Sequence, residues 1–149
     1  MKMARWMVFG LAVAMLAGPG SVGCSCSDQG GQVAKDLNLL ATPNYLAFGT
    51  VPLNGQKSLT VTLTHVGLSG TVVLTDIELD DLGSEFTFTR PDKASLEVGE
   101  STTITVTYAP LVASASDGAL VVRHNVAVLG GITRIPVTAN GQVGDIVVE

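Results

Sequence analysis

The chain has 149 residues, a hydrophobic fraction of 46% and a formal net charge of −5. Those figures leave room for one packed domain behind a leader, and they exclude the basic footprint that nucleic acid demands. The basic residues beyond the leader, Lys35, Lys57, Arg90, Lys93, Arg123 and Arg134, are scattered, which also excludes a polybasic lipid-binding patch.

Lys2 and Arg5 open the chain, Trp6 to Ala17 is uncharged and mostly apolar, and Gly18, Gly20, Ser21 and Gly23 supply small residues. This is the layout of a secretory signal peptide over residues 1–23. Its apolar core is about a dozen residues, short of the roughly 20 that a permanent membrane helix needs. Ser21-Val22-Gly23-Cys24 resembles the lipobox of bacterial lipoproteins, with Ser21 where that family usually has Leu. The resemblance implies acylation of Cys24 and a membrane partner through the lipid anchor. Ser25 stands where the retention signal of enteric inner membranes has Asp, so the implied address is the outer membrane of a host with two membranes. The alternative is ordinary secretory cleavage that leaves Cys24 and Cys26 as free or mutually paired thiols, and a disulfide between them would close a very small loop. From Ser25 to Lys35 the chain is rich in Ser, Gly and Gln without an apolar period, so residues 24–35 read as a lipidated Cys and a flexible tether.

The domain is expected over residues 36–141, with 142–149 as a tail. Asp36 to Ala41 reads as a short first strand stopped by Thr42-Pro43. Leu46 and Phe48 share one face of the next segment, and Val51-Pro52 continues it as an edge, because Pro cannot donate to a central ladder. Asn54-Gly55 turns the chain into the long strand Lys57 to Val66, and Gly67 to Gly70 turns it back. Val72 and Leu74 share one parity while Ile77 and Leu79 share the other, so keeping both pairs inside requires a bulge near Thr75-Asp76 or a change of sheet. Phe86 and Phe88 alternate with threonines and are expected to anchor the core.

Leu96 and Val98 lead through Gly99 into Ser101 to Pro110, whose alternation is the clearest in the chain. Ile104, Val106 and Tyr108 take one face, and Thr103, Thr105 and Thr107 take the other. Val112 to Asp117 reads as a crossover loop of small residues. Ala119 to His124 carries Leu120 and Val122 inward, Asn125 to Gly131 returns the chain, and Ile132 to Asn140 forms the last strand. Pro136 lies on its outward parity and suggests an edge position. Strands at intervals of roughly 8 to 12 residues with no competing helical period give the layout of an all-β β-sandwich of about seven to nine strands.

Three stretches resemble the ASH domain, the immunoglobulin-like module of the ASPM and Hydin proteins. They are Thr42-Pro43-Asn44-Tyr45-Leu46-Ala47-Phe48-Gly49-Thr50-Val51, the run from Gly99 to Pro110, and the run from Ile135 to Gly141. The resemblance runs from about Leu39 to Gly141 and departs at His65, where the family usually has Asn. It implies a structural or protein-interaction module with a protein partner, and it brings no shared catalytic residue and no cofactor.

The residues themselves offer three candidates for chemistry. His65 and His124 are the only histidines, and neither stands in a nucleophile-elbow or zinc motif, so each reads as a turn or strand-end residue. Asp76, Glu78 and Asp80 alternate along one strand and could present oxygen ligands to calcium, against the plainer reading of a solvated face that resists edge pairing. The threonine-rich outer faces could hydrogen-bond a glycan or peptide, though Thr is also what an exposed strand prefers. The sequence therefore points to a non-enzymatic envelope lipoprotein, with an adhesin or glycan-binding module as the alternative and a small envelope hydrolase as a weaker one.

Overall fold

The computed structural model describes residues 35–144. The signal peptide, Cys24, Cys26 and all but the last residue of the tether lie outside them. Nine strands follow one another: β1 (Leu39–Thr42), β2 (Leu46–Pro52), β3 (Lys57–His65), β4 (Val72–Asp80), β5 (Phe86–Thr89), β6 (Ser95–Leu96), β7 (Ser101–Tyr108), β8 (Ala115–His124) and β9 (Ile132–Gln142). A single 3-10 turn, Ala127–Leu129, is the one helical element among the described residues.

The strands form two sheets in the orders β1-β3-β7-β5 and β2-β9-β8-β4-β6. The regular alternation of β7 places it in the middle of the first sheet, flanked by β3 and β5. Its inward residues Ile104, Val106 and Tyr108 are fully buried, as are Val61 and Leu63 of β3. From the second sheet, Leu46, Phe48, Leu120, Val122, Ile135 and Val137 complete the core. Phe48 meets Phe86 and Tyr108 edge-on at centroid distances of 5.9 and 5.8 Å, and Phe86 stacks on Tyr108 at 4.4 Å. Such pairs add about 0.5–1.5 kcal/mol each beyond the area they bury, and this trio joins the two sheets. Lys57 adds a second link, its Nζ donating to the Phe48 carbonyl at 2.6 Å.

Several sequence expectations meet the structure directly. Asn54 adopts φ 63° in the turn before β3. The register of β4 against β8 shifts between Leu74 and Asp76, so the parity change is resolved by a bulge and not by a change of sheet. Pro52 does end an edge strand, since β2 pairs only with β9.

Four expectations need correction. Ala115 to Asp117 is not loop: it opens β8, with Ala115 opposite Asn140 and Asp117 opposite Thr138. Ladder bonds to the long β9 recruit residues whose own strand preference is weak. The last strand is interior, because β9 pairs in parallel with β2 and antiparallel with β8. Pro136 is tolerated there because the ladder to β2 begins at Val137, leaving Pro136 with a neighbour on one side only. Phe86 is buried, whereas Phe88 on the short outer strand β5 is only half-buried. The long strand β3 ends at His65, one residue before Val66.

Candidate functional site

Each histidine is the last residue of a strand, His65 of β3 and His124 of β8, and both are buried. The Gly67 N–H donates to His65 Nδ1 at 3.0 Å. An N–H can only donate, so Nδ1 is the acceptor, the ring proton sits on Nε2, and it faces the Gly70 carbonyl at 3.3 Å. The Asn38 carbonyl also lies 3.0 Å from Nδ1 and is satisfied by the Val66 N–H at 3.0 Å. His65 thus supplies the turn hydrogen bonds at the position where the ASH pattern usually has Asn. Gly67 is required beneath it, because a Cβ there would run into the Asp36 carbonyl and sit 2.7 Å from the His65 ring.

His124 repeats the device on the other sheet. Its Nδ1 accepts the Val126 N–H at 3.2 Å, and its Nε2 faces Thr133 Oγ1 at 2.9 Å. Burial pushes its pKa below the ordinary value. In both cases the ring accepts the N–H two residues further on, an arrangement that pairs a strand-end histidine with a tight turn. Sequence reasoning placed both residues correctly at strand ends but had no signal for the bonded nitrogen, since the turn geometry decides it.

The loops around the two histidines are bonded to one another at one end of the sandwich. Asn125 accepts the Val73 N–H at 2.9 Å and donates to the Thr71 carbonyl at 3.0 Å. Thr71 donates to Glu97 at 2.9 Å, and the Gly99 N–H reaches the His65 carbonyl at 2.9 Å. Glu100 accepts from Lys93 at 2.6 Å and from the Glu97 N–H at 3.0 Å. The Lys93 bond foremost, then the Glu97 N–H, lowers its pKa.

The acidic triplet on β4 is divided among separate partners. Glu78 pairs with Arg123 at 2.6 Å and Asp80 with Arg134 at 2.7 Å, while Asp76 accepts the Ile77 N–H at 2.9 Å beside the bulge. The two pairs are about half-exposed, a setting worth roughly 0–1 kcal/mol each. Among the described residues no group of three or more His, Cys, Asp or Glu side chains is placed to hold a metal ion.

The outer face of the four-stranded sheet is a hydroxyl surface. Ser58, Thr60, Thr62 and Thr64 of β3 stand opposite Thr107, Thr105, Thr103 and Ser101 of β7. Three of these pairs bond across the strands, at 2.7, 3.3 and 2.9 Å, and Thr42, Thr87 and Thr89 extend the rows. The recesses are small. One of about 120 Å³ lies by the β4 bulge against Arg90 and Pro91, and one of about 200 Å³ lies between Pro52 and Gln142. Both are below the roughly 300 Å³ at which a pocket encloses a small organic ligand.

An all-β sandwich of two sheets whose two histidines are bonded into its own turns defines the class, an immunoglobulin-like module. The sequence profile described as "Abnormal spindle-like microcephaly-assoc'd, ASPM-SPD-2-Hydin" matches residues 37–128, more than half of the chain. The chain belongs to this ASH family, a non-catalytic immunoglobulin-like module. The first two resembling stretches fall inside the match, and the third, on β9, lies beyond it.

Among solved structures, a protein of unknown function from Porphyromonas gingivalis W83 aligns with 19% identity and a TM-score of 0.61, covering 72% of this chain and 48% of that one. The ASH/PapD-like domain 7 of human CEP192 aligns with 12% identity and a TM-score of 0.54, covering 91% of this chain and 99% of the domain. The secreted serine protease VesC from Vibrio cholerae aligns with 14% identity and a TM-score of 0.52, over 72% of this chain. This chain spans 23% of VesC and about half of the Porphyromonas protein, so these likenesses concern the fold of one part. No curated protein matches by sequence.

Proposed function

We propose that this chain is a bacterial envelope lipoprotein, acylated at Cys24, whose sandwich is a non-enzymatic structural or protein-interaction module. The observation that carries the reading is the engagement of both histidines. Each has one ring nitrogen holding a backbone N–H and the other facing an internal oxygen, so neither is free to act as the base that a hydrolytic site needs. The protease named among the structural relatives therefore lends its fold and not its activity. Membership of the ASH family supports the interaction role, the leader with Ser21-Val22-Gly23-Cys24 supports the lipid anchor, and Ser25 supports the outer-membrane address. Crosslinking in intact cells followed by mass spectrometry tests the role. Recovery of a defined set of envelope proteins is expected, and purified protein that hydrolyses ester, peptide or glycosidic substrates overturns it.

The hydroxyl surface favours a second reading, a glycan-binding module, because the rows of Ser58, Thr60, Thr105 and Thr107 offer many donors and acceptors without charge. Saturable binding on a glycan array that Thr60→Lys and Thr105→Lys abolish would establish it.

A further inference from the structure

The end of the sandwich held by the histidines carries the apolar tips of the molecule. Leu68 is 82% exposed and Val128 80%, the two most exposed large hydrophobic residues among those described, and Val66, Val98 and Leu129 lie on the same set of loops. Single exposed aliphatics are ordinary, but these are displayed on ordered turns. His65 fixes the turn that bears Leu68 through the Gly67 N–H, and His124 fixes the one that bears Val128 through the Val126 N–H.

The chain also enters the sandwich at this end. The Asp36 N–H donates to Ser69 Oγ at 2.9 Å, the Leu68 N–H donates to the Asp36 carbonyl at 3.0 Å, and Lys35 lies against Gly70. Whatever holds the residues before Lys35 therefore holds the molecule by the end that shows Leu68.

We propose that this end faces the membrane, and that Leu68 and Val128 insert into the interfacial layer of the bilayer to which Cys24 is anchored. The inference rests on the acylation of Cys24 proposed above. Only Ser25 to Ala34 separate the anchor from Lys35. Even fully extended, a stretch of that length reaches no more than about 40 Å. A surface tethered that closely is met at high effective concentration, so two aliphatic side chains suffice where they would not hold a free domain. The charges at this end carry both signs: Lys35, Asp36, Lys93, Glu97 and Glu100, with Lys93 and Glu100 paired. The contact is therefore apolar, fits a zwitterionic lipid surface, and is insensitive to salt.

The test uses the purified acylated protein in phosphatidylcholine vesicles; cleavage before Cys24 removes Trp6, the single native tryptophan, so the mature protein carries no other tryptophan signal. Leu68→Trp and Val128→Trp place reporters on the two tips, and Leu111→Trp places one at the far end, where Leu111 is exposed. Brominated lipid is expected to quench the two tip reporters several-fold more than the distal one, with blue-shifted emission unchanged by high salt. Two tip reporters allow for one substitution that perturbs its turn. Protein that floats with the vesicles but shows equal or absent quenching at both tips overturns the inference and leaves the anchor standing. Shielding of the tips by a crosslinked protein in cells overturns it as well. Protein that does not float overturns the anchor reading and this inference together.

Discussion

At His124 the folded chain favours the neutral ring, because burial disfavours the imidazolium and because Nδ1 needs its lone pair for the Val126 N–H. The unfolded chain titrates near the ordinary 6.5. Below that pH it binds a proton that the folded state refuses, so stability is full above about pH 6.5, falls as the pH drops toward the lowered folded value, and levels off beneath it. Urea midpoints measured from about pH 7.5 to pH 5 are expected to decline, and His124→Asn is expected to flatten the slope; an unchanged slope would assign the loss elsewhere. Glu100 acts in a lower window, since its carboxylate is held below the ordinary 4.5 by Lys93 and its stabilisation disappears only as the pH falls through that lowered value. Gly67 gives a steric test of the same end. Gly67→Ala is expected to cost about 2–4 kcal/mol and lower Tm by roughly 10 °C or more, because its Cβ would meet the Asp36 carbonyl and the His65 ring. Gly83→Ala, where nothing lies within 4 Å, is the control and should melt close to the parent. The sequence read His65 and His124 as turn or strand-end residues, and both end strands, but the bond from each ring to the N–H two residues on depends on the turn, which no residue pattern encodes.

Within the elements, β7 is the place where a period of two is tested most sharply. Val106 is fully buried against β3 and β5, and its neighbour Thr105 faces out beside Thr60. Val106→Asp is expected to unfold the domain, since an unpaired carboxylate in an apolar core costs several kcal/mol. Thr105→Asp is expected to change stability by less than about 1 kcal/mol. Circular dichroism melts in the opposite order would reverse the two faces of the strand. The same alternation made β3, β7 and the bulge of β4 legible, because each residue there has only two choices of face. Legibility failed where pairing and not pattern decides. Ala115 to Asp117 have little strand preference and are drawn into β8 by β9, and Pro136 looked like an edge signal because a sequence does not show where the ladder from β2 begins.

At the scale of the molecule, the described sandwich and the anchor are separate physical problems. The described core begins at Leu39 and is closed by contacts among Phe48, Phe86 and Tyr108, all on strands of the two sheets. Membrane residence depends on acyl chains: one chain gives marginal binding, and two or more give stable binding at roughly 0.8 kcal/mol per buried methylene. Changing Cys24 therefore separates address from fold. Cys24→Ala is expected to move the protein from the membrane pellet to the soluble fraction, or to stall it as an uncleaved precursor, while Cys26→Ala leaves it in the pellet. Neither substitution is expected to alter the far-ultraviolet circular dichroism or the melting curve of the sandwich. Fractionation with mass spectrometry reads the outcome, since acylation adds the mass of the fatty chains to the peptide that starts at Cys24. A Cys24→Ala protein that stays in the pellet at the mass of the uncleaved chain would instead make the Trp6 to Ala17 segment a retained signal anchor. A wild-type protein recovered soluble with an unmodified Cys24 thiol would end the lipoprotein reading and, with it, the membrane-facing assignment of Leu68 and Val128.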